Sequence, residues 1–204
     1  LMPIDHPSEI VLASASRSRA AMLVGAGLDV SIKAADIDEA SVKNDGLRTQ
    51  ASVETVTALL ARQKAQKISQ KHPNAFVIGA DQILDCGGKW LDKPNSLTAA
   101  DHTLRFLRGK SHDLVTSISV VHGGTEIWAL TDRAQLLMRD FSDGFLRRYL
   151  SYVGEDVTLS VGAYQLEGIG AQLFERIDGD YFTILGLPLL PLLEFLRERN
   201  VIDQ

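Results

Sequence analysis

The chain has 204 residues, of which 45% are hydrophobic and 23% charged, the composition of a soluble globular domain with one substantial core. Its formal net charge of -5 argues against a nucleic-acid binder, which would carry a basic face or stripe, and 6% aromatic residues leave little for base stacking. A single cysteine, Cys86, excludes an intramolecular disulfide framework and a cysteine-based zinc cluster; it fits a reducing, cytoplasmic setting in which Cys86 is a small hydrophobe near a strand end. No run approaches the roughly 20 apolar residues that span a bilayer. The segment containing Asp5, His6 and Glu9 shows no signal-peptide pattern, and a single domain over residues 1–204 is expected.

Residues 10–13 predict a short buried strand and residues 17–26 a helix, with Ser16 at its N-cap and Gly25 and Gly27 suited to its C-cap. Arg17 and Arg19 then fall in the first helical turn, where the helix dipole disfavours each cation by about 0.3–1 kcal/mol. The free N–H groups of that turn are donors to an anion. A bound polyphosphate would resolve the conflict, with Ser14 and Ser16 as hydrogen-bond donors; a capped surface helix with its arginines in water accommodates the same residues. A second strand is expected at 32–34, then the acidic loop Asp36-Ile37-Asp38-Glu39. Val53, Val56, Leu59, Leu60 and Ile68 give helical periodicity over 53–70, with Lys64 and Lys67 on its polar face.

Residues 75–84 predict a dense apolar strand interrupted by Asp81, whose charge must be paired, bound to a metal or tuned in pKa. Catalysis and a structural salt bridge both meet that need. Gly87-Gly88 turns into a second strand carrying Trp90; the Gly-Gly-Lys there lacks the rest of a P-loop, which argues against a Walker-type ATPase. A helix follows over 98–107 with Asp101 as a capping-box acid, then strands at 115–121 and 127–138 joined at Gly123-Gly124. Ser142 caps a helix over 143–152, Tyr164 begins a glycine-rich turn, and strands are expected at 173–177 and 182–185. Pro191 marks a last helix over 192–199. Its stripe of Leu189, Leu190, Leu192, Leu193 and Leu196 reads as core, part of which offers a homodimer contact. The class is α/β, a mixed central sheet flanked by helices.

His6, His72, His102, His112 and His122 have no metal-ligand spacing and read as structural or surface residues. With no G-x-S-x-G elbow, a serine nucleophile has no support.

Several segments carry a resemblance when taken in order: Leu12-Ala13-Ser14-Ala15-Ser16-Arg17-Ser18-Arg19, Lys64 in Ala61-Arg62-Gln63-Lys64-Ala65, Gly79-Ala80-Asp81-Gln82, Leu91-Asp92-Lys93-Pro94, Gly162-Ala163-Tyr164-Gln165-Leu166-Glu167-Gly168, and Gly186-Leu187-Pro188-Leu189. From about Ile10 to about Arg197 the chain resembles the Maf family of nucleoside triphosphate pyrophosphatases. The resemblance implies a single Maf-like domain, akin to the inosine triphosphate pyrophosphatases, with two lobes around a nucleotide cleft. It implies Asp81 as the base that activates water, and a divalent cation, magnesium or manganese, held by Glu39 and Asp81. Asp36 and Asp38 are equally acidic, which leaves the choice among the three open. Lys64, Lys93 and Arg19 would stabilise the charge of the phosphates and the departing pyrophosphate, although a lysine alone is most often just solvated. Asp92 stands where the family usually has glycine, adding a carboxylate beside Lys93.

Base specificity would rest on Ser18, Gln82 and Glu167. Family members acting on thymidine and uridine triphosphates typically carry Arg, Thr and Gln there, whereas Gln82 and Glu167 match the group acting on 7-methylguanosine triphosphate, which usually has Trp in place of Ser18. Pairing of Glu167 with Arg176 is the alternative. The expected activity is hydrolysis of nucleoside triphosphates, non-canonical or 7-methylguanosine-type, to monophosphate and pyrophosphate. The competing reading is a nucleotide-binding regulatory protein linked to cell division without turnover. Asp81 discriminates between them, because a mere binder has little use for a carboxylate facing a polyanion.

Overall fold

The computed structural model describes residues 9–203, so the readings at Asp5 and His6 lie outside the described residues. The first element among the described residues is β1 (Ile10–Leu12), whose three residues are all buried, as a strand covered on both faces requires. It pairs in parallel with both β2 (Val30–Ile32) and β3 (Phe76–Cys86). The expected strand at 32–34 thus lies two residues earlier. β3 turns at Gly87 and Gly88, both left-handed, into antiparallel β4 (Lys89–Leu91). β5 (Ser111–His122) and β6 (Thr125–Met138) follow, and β6 pairs antiparallel with β7 (Phe174–Asp178). The strand order is β2-β1-β3-β5-β6-β7, with β4 on β3, which makes a mixed seven-stranded sheet.

The described residues divide into two units, 9–82 with 116–132 and 181–203, and 83–115 with 133–180. In the first unit α1 (Arg17–Gly25) is capped by Ser16, whose hydroxyl accepts from the Arg19 amide. Gly27, at φ 86°, follows the helix and donates to the Val24 carbonyl, so it, and not Gly25, supplies the left-handed turn that closes α1. α2 (Glu39–Arg48) was not foreseen. Asp38 accepts from the Ser41 amide and caps it, which turns the acidic loop into a helix start. α3 (Val53–Ser69) is capped by Ser52.

Ile10, Leu12, Ile78 and Ile118 pack with Leu192, Phe195 and Leu196 of α7 (Leu189–Glu198), while Val11, Ala13 and Val77 pack with Ala65. Leu190, by contrast, is exposed. Gly79 lies against α3 so closely that a Cβ there would overlap the Ala61 carbonyl oxygen and the Ala65 amide nitrogen. The strand expected at 182–185 is instead one helical turn, α6 (Tyr181–Ile184), in which the Leu185 amide donates to the Tyr181 carbonyl. A short apolar run does not by itself separate a strand from a buried helical turn.

In the second unit α4 (Leu97–Leu107) starts one residue before the expected position, because Ser96 is the cap. Asp101 pairs with Arg105 at 2.7 Å instead of closing a capping box. Arg105 and Arg108 both reach Asp143 at the start of α5 (Asp143–Val153), fastening the two helices. Three short 3-10 turns lead from α5 to β7.

Candidate active site

In the first unit a group of charged side chains converges around the middle of β3. Asp81 is 4% exposed inside the strand, and its Oδ1 is 2.5 Å from Lys64 Nζ. Lys64 is also buried, so it does not occupy the solvated face expected of it, and its ammonium lies 2.7 Å from Glu39 Oε1 at the first residue of α2. Burial alone would raise the Glu39 carboxyl, but the hydrogen bond and charge of Lys64, with Lys43 and Arg19, outweigh it and hold the group below its ordinary value. Lys67, one turn further along α3, donates to the Asp36 carbonyl. Asp81 Oδ2 is buried without a hydrogen-bond partner, and an acceptor in that state is costly unless something else meets it.

Arg19 is buried as well. Its Nε donates to the Gly186 carbonyl at 2.7 Å, and Nη1 to the Ala80 carbonyl at 2.9 Å and to Ser14 Oγ at 3.1 Å. Protein acceptors thus offset the unfavourable place of this cation at the helix start, and the guanidinium fastens α1 to β3 beside Asp81. Burial pulls Arg19 below its ordinary value, while the charges of Asp81 and Glu39 oppose that shift. Ser14 is buried, and its Oγ also accepts from the Ser16 amide. Arg17 and Ser18 are exposed. Lys64, Asp81, Glu39, Arg19, Ser14 and Ser16 therefore belong to one constellation in this unit.

Gln82, next along β3, donates through Nε2 to Thr116 Oγ1, the Thr183 carbonyl and the Ile184 carbonyl. Two of those partners only accept, which fixes the amide nitrogen towards them and turns Oε1 the other way. Thr183 in turn donates to Asp132. Nothing in the sequence pointed to Thr116 or Thr183, since threonines in apolar strands and turns are commonplace.

Lys93 and Glu167 lie in the second unit and both are exposed. Lys93 follows β4 and precedes the buried Pro94. Among the described residues Glu167 makes no ion pair with Arg176, so that alternative is not realised. The segment that carries Glu167 is tightly specified. Gly162 has φ 80°, and a Cβ there would strike the Tyr164 ring and Leu84 Cδ1; Ala163 also has φ above zero, at 60°. Tyr149 Oη donates to the Ala163 carbonyl at 3.1 Å and Ser160 Oγ to the Tyr164 carbonyl at 2.5 Å. Burial pushes the Tyr149 hydroxyl up to about 12 and raises that of Tyr164 further, so both remain donors.

His112, 2% exposed at the start of β5, meets Tyr164 Oη at 2.8 Å through Nε2. Burial lowers this histidine to about 4, partly offset by Asp113 and the Lys110 backbone.

Among the described residues no three His, Cys, Asp or Glu side chains cluster as a metal site, and no helix is long and apolar enough to cross a membrane.

Residues 9–199 match the family model described as Maf-like protein. A protein of Paramagnetospirillum magneticum named nucleoside triphosphate pyrophosphatase is 48% identical over 190 residues, 93% of this chain and 98% of that protein. One with the same name from Granulibacter bethesdensis is 46% identical over 95% of this chain and 98% of its own length. A Brucella abortus protein named 7-methyl-GTP pyrophosphatase is 46% identical over 195 residues, 96% of this chain and 98% of its own. With the family model spanning nearly the whole sequence and such relatives aligned end to end, this chain belongs to the Maf-like protein family.

Proposed function

We propose that this protein is a nucleoside triphosphate pyrophosphatase, hydrolysing its substrate between the α and β phosphates to monophosphate and pyrophosphate. The observation that carries the reading is Asp81 Oδ2, a buried carboxylate oxygen with no partner, beside a lysine and an arginine in a family whose relatives bear that name. One water is consumed and the α–β bridging bond breaks. Asp81 Oδ2 takes the proton of the attacking water as general base. Lys64 keeps the carboxylate oriented through Oδ1. Ser14, Ser16 and the first turn of α1 offer hydrogen-bond donors to phosphate oxygens, and Arg19 adds positive charge. Lys93 retains the phosphate-binding role that the resemblance implies.

A divalent cation, magnesium or manganese, fits the donors present. Asp81 Oδ2 lacks a partner, Glu39 is half-exposed, and magnesium prefers oxygen ligands, typically one or two carboxylates with substrate phosphates and waters. Asp81 and Glu39 would hold it. Bound there, the cation supplies neutralising charge to the triphosphate. A screen of nucleoside triphosphates with either cation, read by phosphorus NMR, tests the reaction class: pyrophosphate is expected, and none in excess EDTA. Nucleoside diphosphate with orthophosphate would overturn the reading, full turnover in EDTA would remove the metal, and tight binding without turnover would favour a regulatory protein.

For the base, a guanine-type edge fits best. Glu167 can only accept hydrogen bonds. Guanine presents N1–H and an amino group together, whereas uracil and thymine present one donor between two carbonyls. Those carbonyls would face the anion unpaired. The relatives named 7-methyl-GTP pyrophosphatase support the same preference, although Ser18 leaves less for a base to stack on than a tryptophan would. Glu167→Gln is expected to shift preference from 7-methylguanosine and guanosine triphosphates towards uridine and thymidine triphosphates. An unchanged substrate ranking in kcat/KM would remove Glu167 from base recognition. Such an enzyme would clear unusual nucleotides from the cytoplasmic pool, a setting that suits a chain with one cysteine.

A further inference from the structure

We propose that His112 and Tyr164 are positioning residues: their buried side-chain hydrogen bond holds the segment 160–170 in the conformation that presents Glu167, and so sets the affinity for the base of the nucleotide. The proposal rests on the reading of Glu167 given above.

Tyr164 is the one large side chain of the segment's tight turn to point into the core of the second unit. It is 4% exposed and stands edge-on to Phe174, with ring centroids 4.8 Å apart and the planes at 84°. His112 packs against both rings, at 5.7 Å from Tyr164 and 6.2 Å from Phe174. Aromatic packing alone would hold the ring as a plug. The hydroxyl adds direction, because Tyr164 Oη has no partner among the described residues besides His112 Nε2. A phenol that stays protonated must donate, so Nε2 is the acceptor and the imidazole is the Nδ1–H tautomer. Nδ1 faces the Lys110 backbone without a well-formed hydrogen bond. The histidine can fill this role because burial keeps it neutral.

The surroundings explain why the turn needs that bond. Gly162 takes its left-handed conformation at no steric cost, but Ala163 is left-handed too, a conformation that a non-glycine residue leaves when unconstrained. Gly170 approaches the Gln165 backbone too closely to admit a Cβ. The other side of the segment faces a shallow, solvent-open depression lined in part by Tyr149, Tyr152, Asp156, Gln165 and Gly170. No packed element covers that side at the depression, and the hydrogen bonds from Tyr149, Ser160 and His112 anchor the segment from within the unit. Glu167 is three residues beyond Tyr164, and a small change at the anchor moves its carboxylate.

The test compares Tyr164→Phe, His112→Leu, His112→Gln and Glu167→Ala with the full chain, using 7-methylguanosine and uridine triphosphates as substrates and inorganic tripolyphosphate as a base-free competitive inhibitor. Tyr164→Phe and His112→Leu are expected to raise KM for the 7-methylguanosine substrate about tenfold, since small misplacements of binding groups have large effects. Their kcat should stay within about threefold of the parent, and inhibition by tripolyphosphate should not change. His112→Gln, which restores an acceptor near Nε2, should return KM towards the parent value. A uniform loss of activity with weaker tripolyphosphate inhibition, unchanged KM in both anchor variants, or failure of His112→Gln to rescue would overturn the proposal. If Tyr164→Phe does not fold, the two His112 variants decide by themselves. Glu167→Ala separates the two readings: an unchanged substrate ranking there refutes the role of Glu167, whereas a changed ranking there with unaltered anchor variants refutes the positioning role.

Discussion

Asp81→Asn is expected to lower turnover by about 10²–10⁴-fold, the usual contribution of a positioned acid or base, while nucleotide binding persists or tightens. The substitution keeps the shape of the side chain. Its amide oxygen can still accept from Lys64, whose ammonium also retains Glu39, so no buried charge is orphaned. What disappears is the capacity to take a proton and the negative charge beside the incoming phosphates. Steady-state release of pyrophosphate, equilibrium binding of the nucleotide and a thermal melt measured together check the prediction. Loss of folding in the asparagine variant would show that Asp81 serves the lysine bridge alone.

Lys64→Met should be the more damaging change to stability. It leaves Asp81, 4% exposed, without the partner of Oδ1 while Oδ2 already has none. Breaking a buried ion pair from one side typically costs about 3–5 kcal/mol, because the remaining charge stays desolvated and unpaired. Urea unfolding measures the loss. The double variant Lys64→Met with Asp81→Asn should be more stable than Lys64→Met alone, since the second substitution removes the orphaned charge, and that non-additivity distinguishes the pair from two independent sites. Glu39→Gln, which removes the half-exposed arm of the bridge, should cost no more than about 1 kcal/mol. Equal destabilisation by all three single substitutions would contradict the difference in burial between Asp81, Lys64 and Glu39.

The elements legible in the sequence were those with a local cause. Ser16 and Ser142 announce their helices because an N-cap acts on amides two or three residues away, and Gly87-Gly88 announces a hairpin because both residues take left-handed backbone. Helix α2 was hidden because its residues, among them Lys43, Asn44 and Asp45, show no apolar stripe, and Asp38 in an acidic run read as loop. The helical turn at 181–184 was hidden for the opposite reason, since a short apolar run is compatible with either state.

Lys64 is the instructive case in the site. By sequence it belongs to the polar face of α3, whereas it is buried on the side of Thr57, Ala61 and Ala65. The charge of the residue suggested solvent, and the sequence motif suggested phosphate; only the fold shows it buried between two carboxylates. The partners of Gln82 and the His112–Tyr164 contact depend on residues 34 to 102 positions apart and had no local signature.

Gly79 bears on how such a site persists through evolution. The strand and the helix that carry Asp81 and Lys64 meet there backbone to backbone, without an intervening side chain. Asp81 is two residues further along the strand and hence on the same face; Lys64 is the neighbour of Ala65, which lies against Gly79. The separation of ammonium and carboxylate is therefore set by the contact of two rigid elements and needs little reorganisation when the reaction's charge develops. A lineage could vary exposed groups such as Lys67 or Ser18 and change its substrate while this geometry endured. A methyl group at position 79 would instead push the whole helix outward, altering every distance in the constellation at once. The residue with no side chain is thus under tighter constraint than many of the charged groups around it, and it lets substrate preference diversify over an unchanged chemical centre.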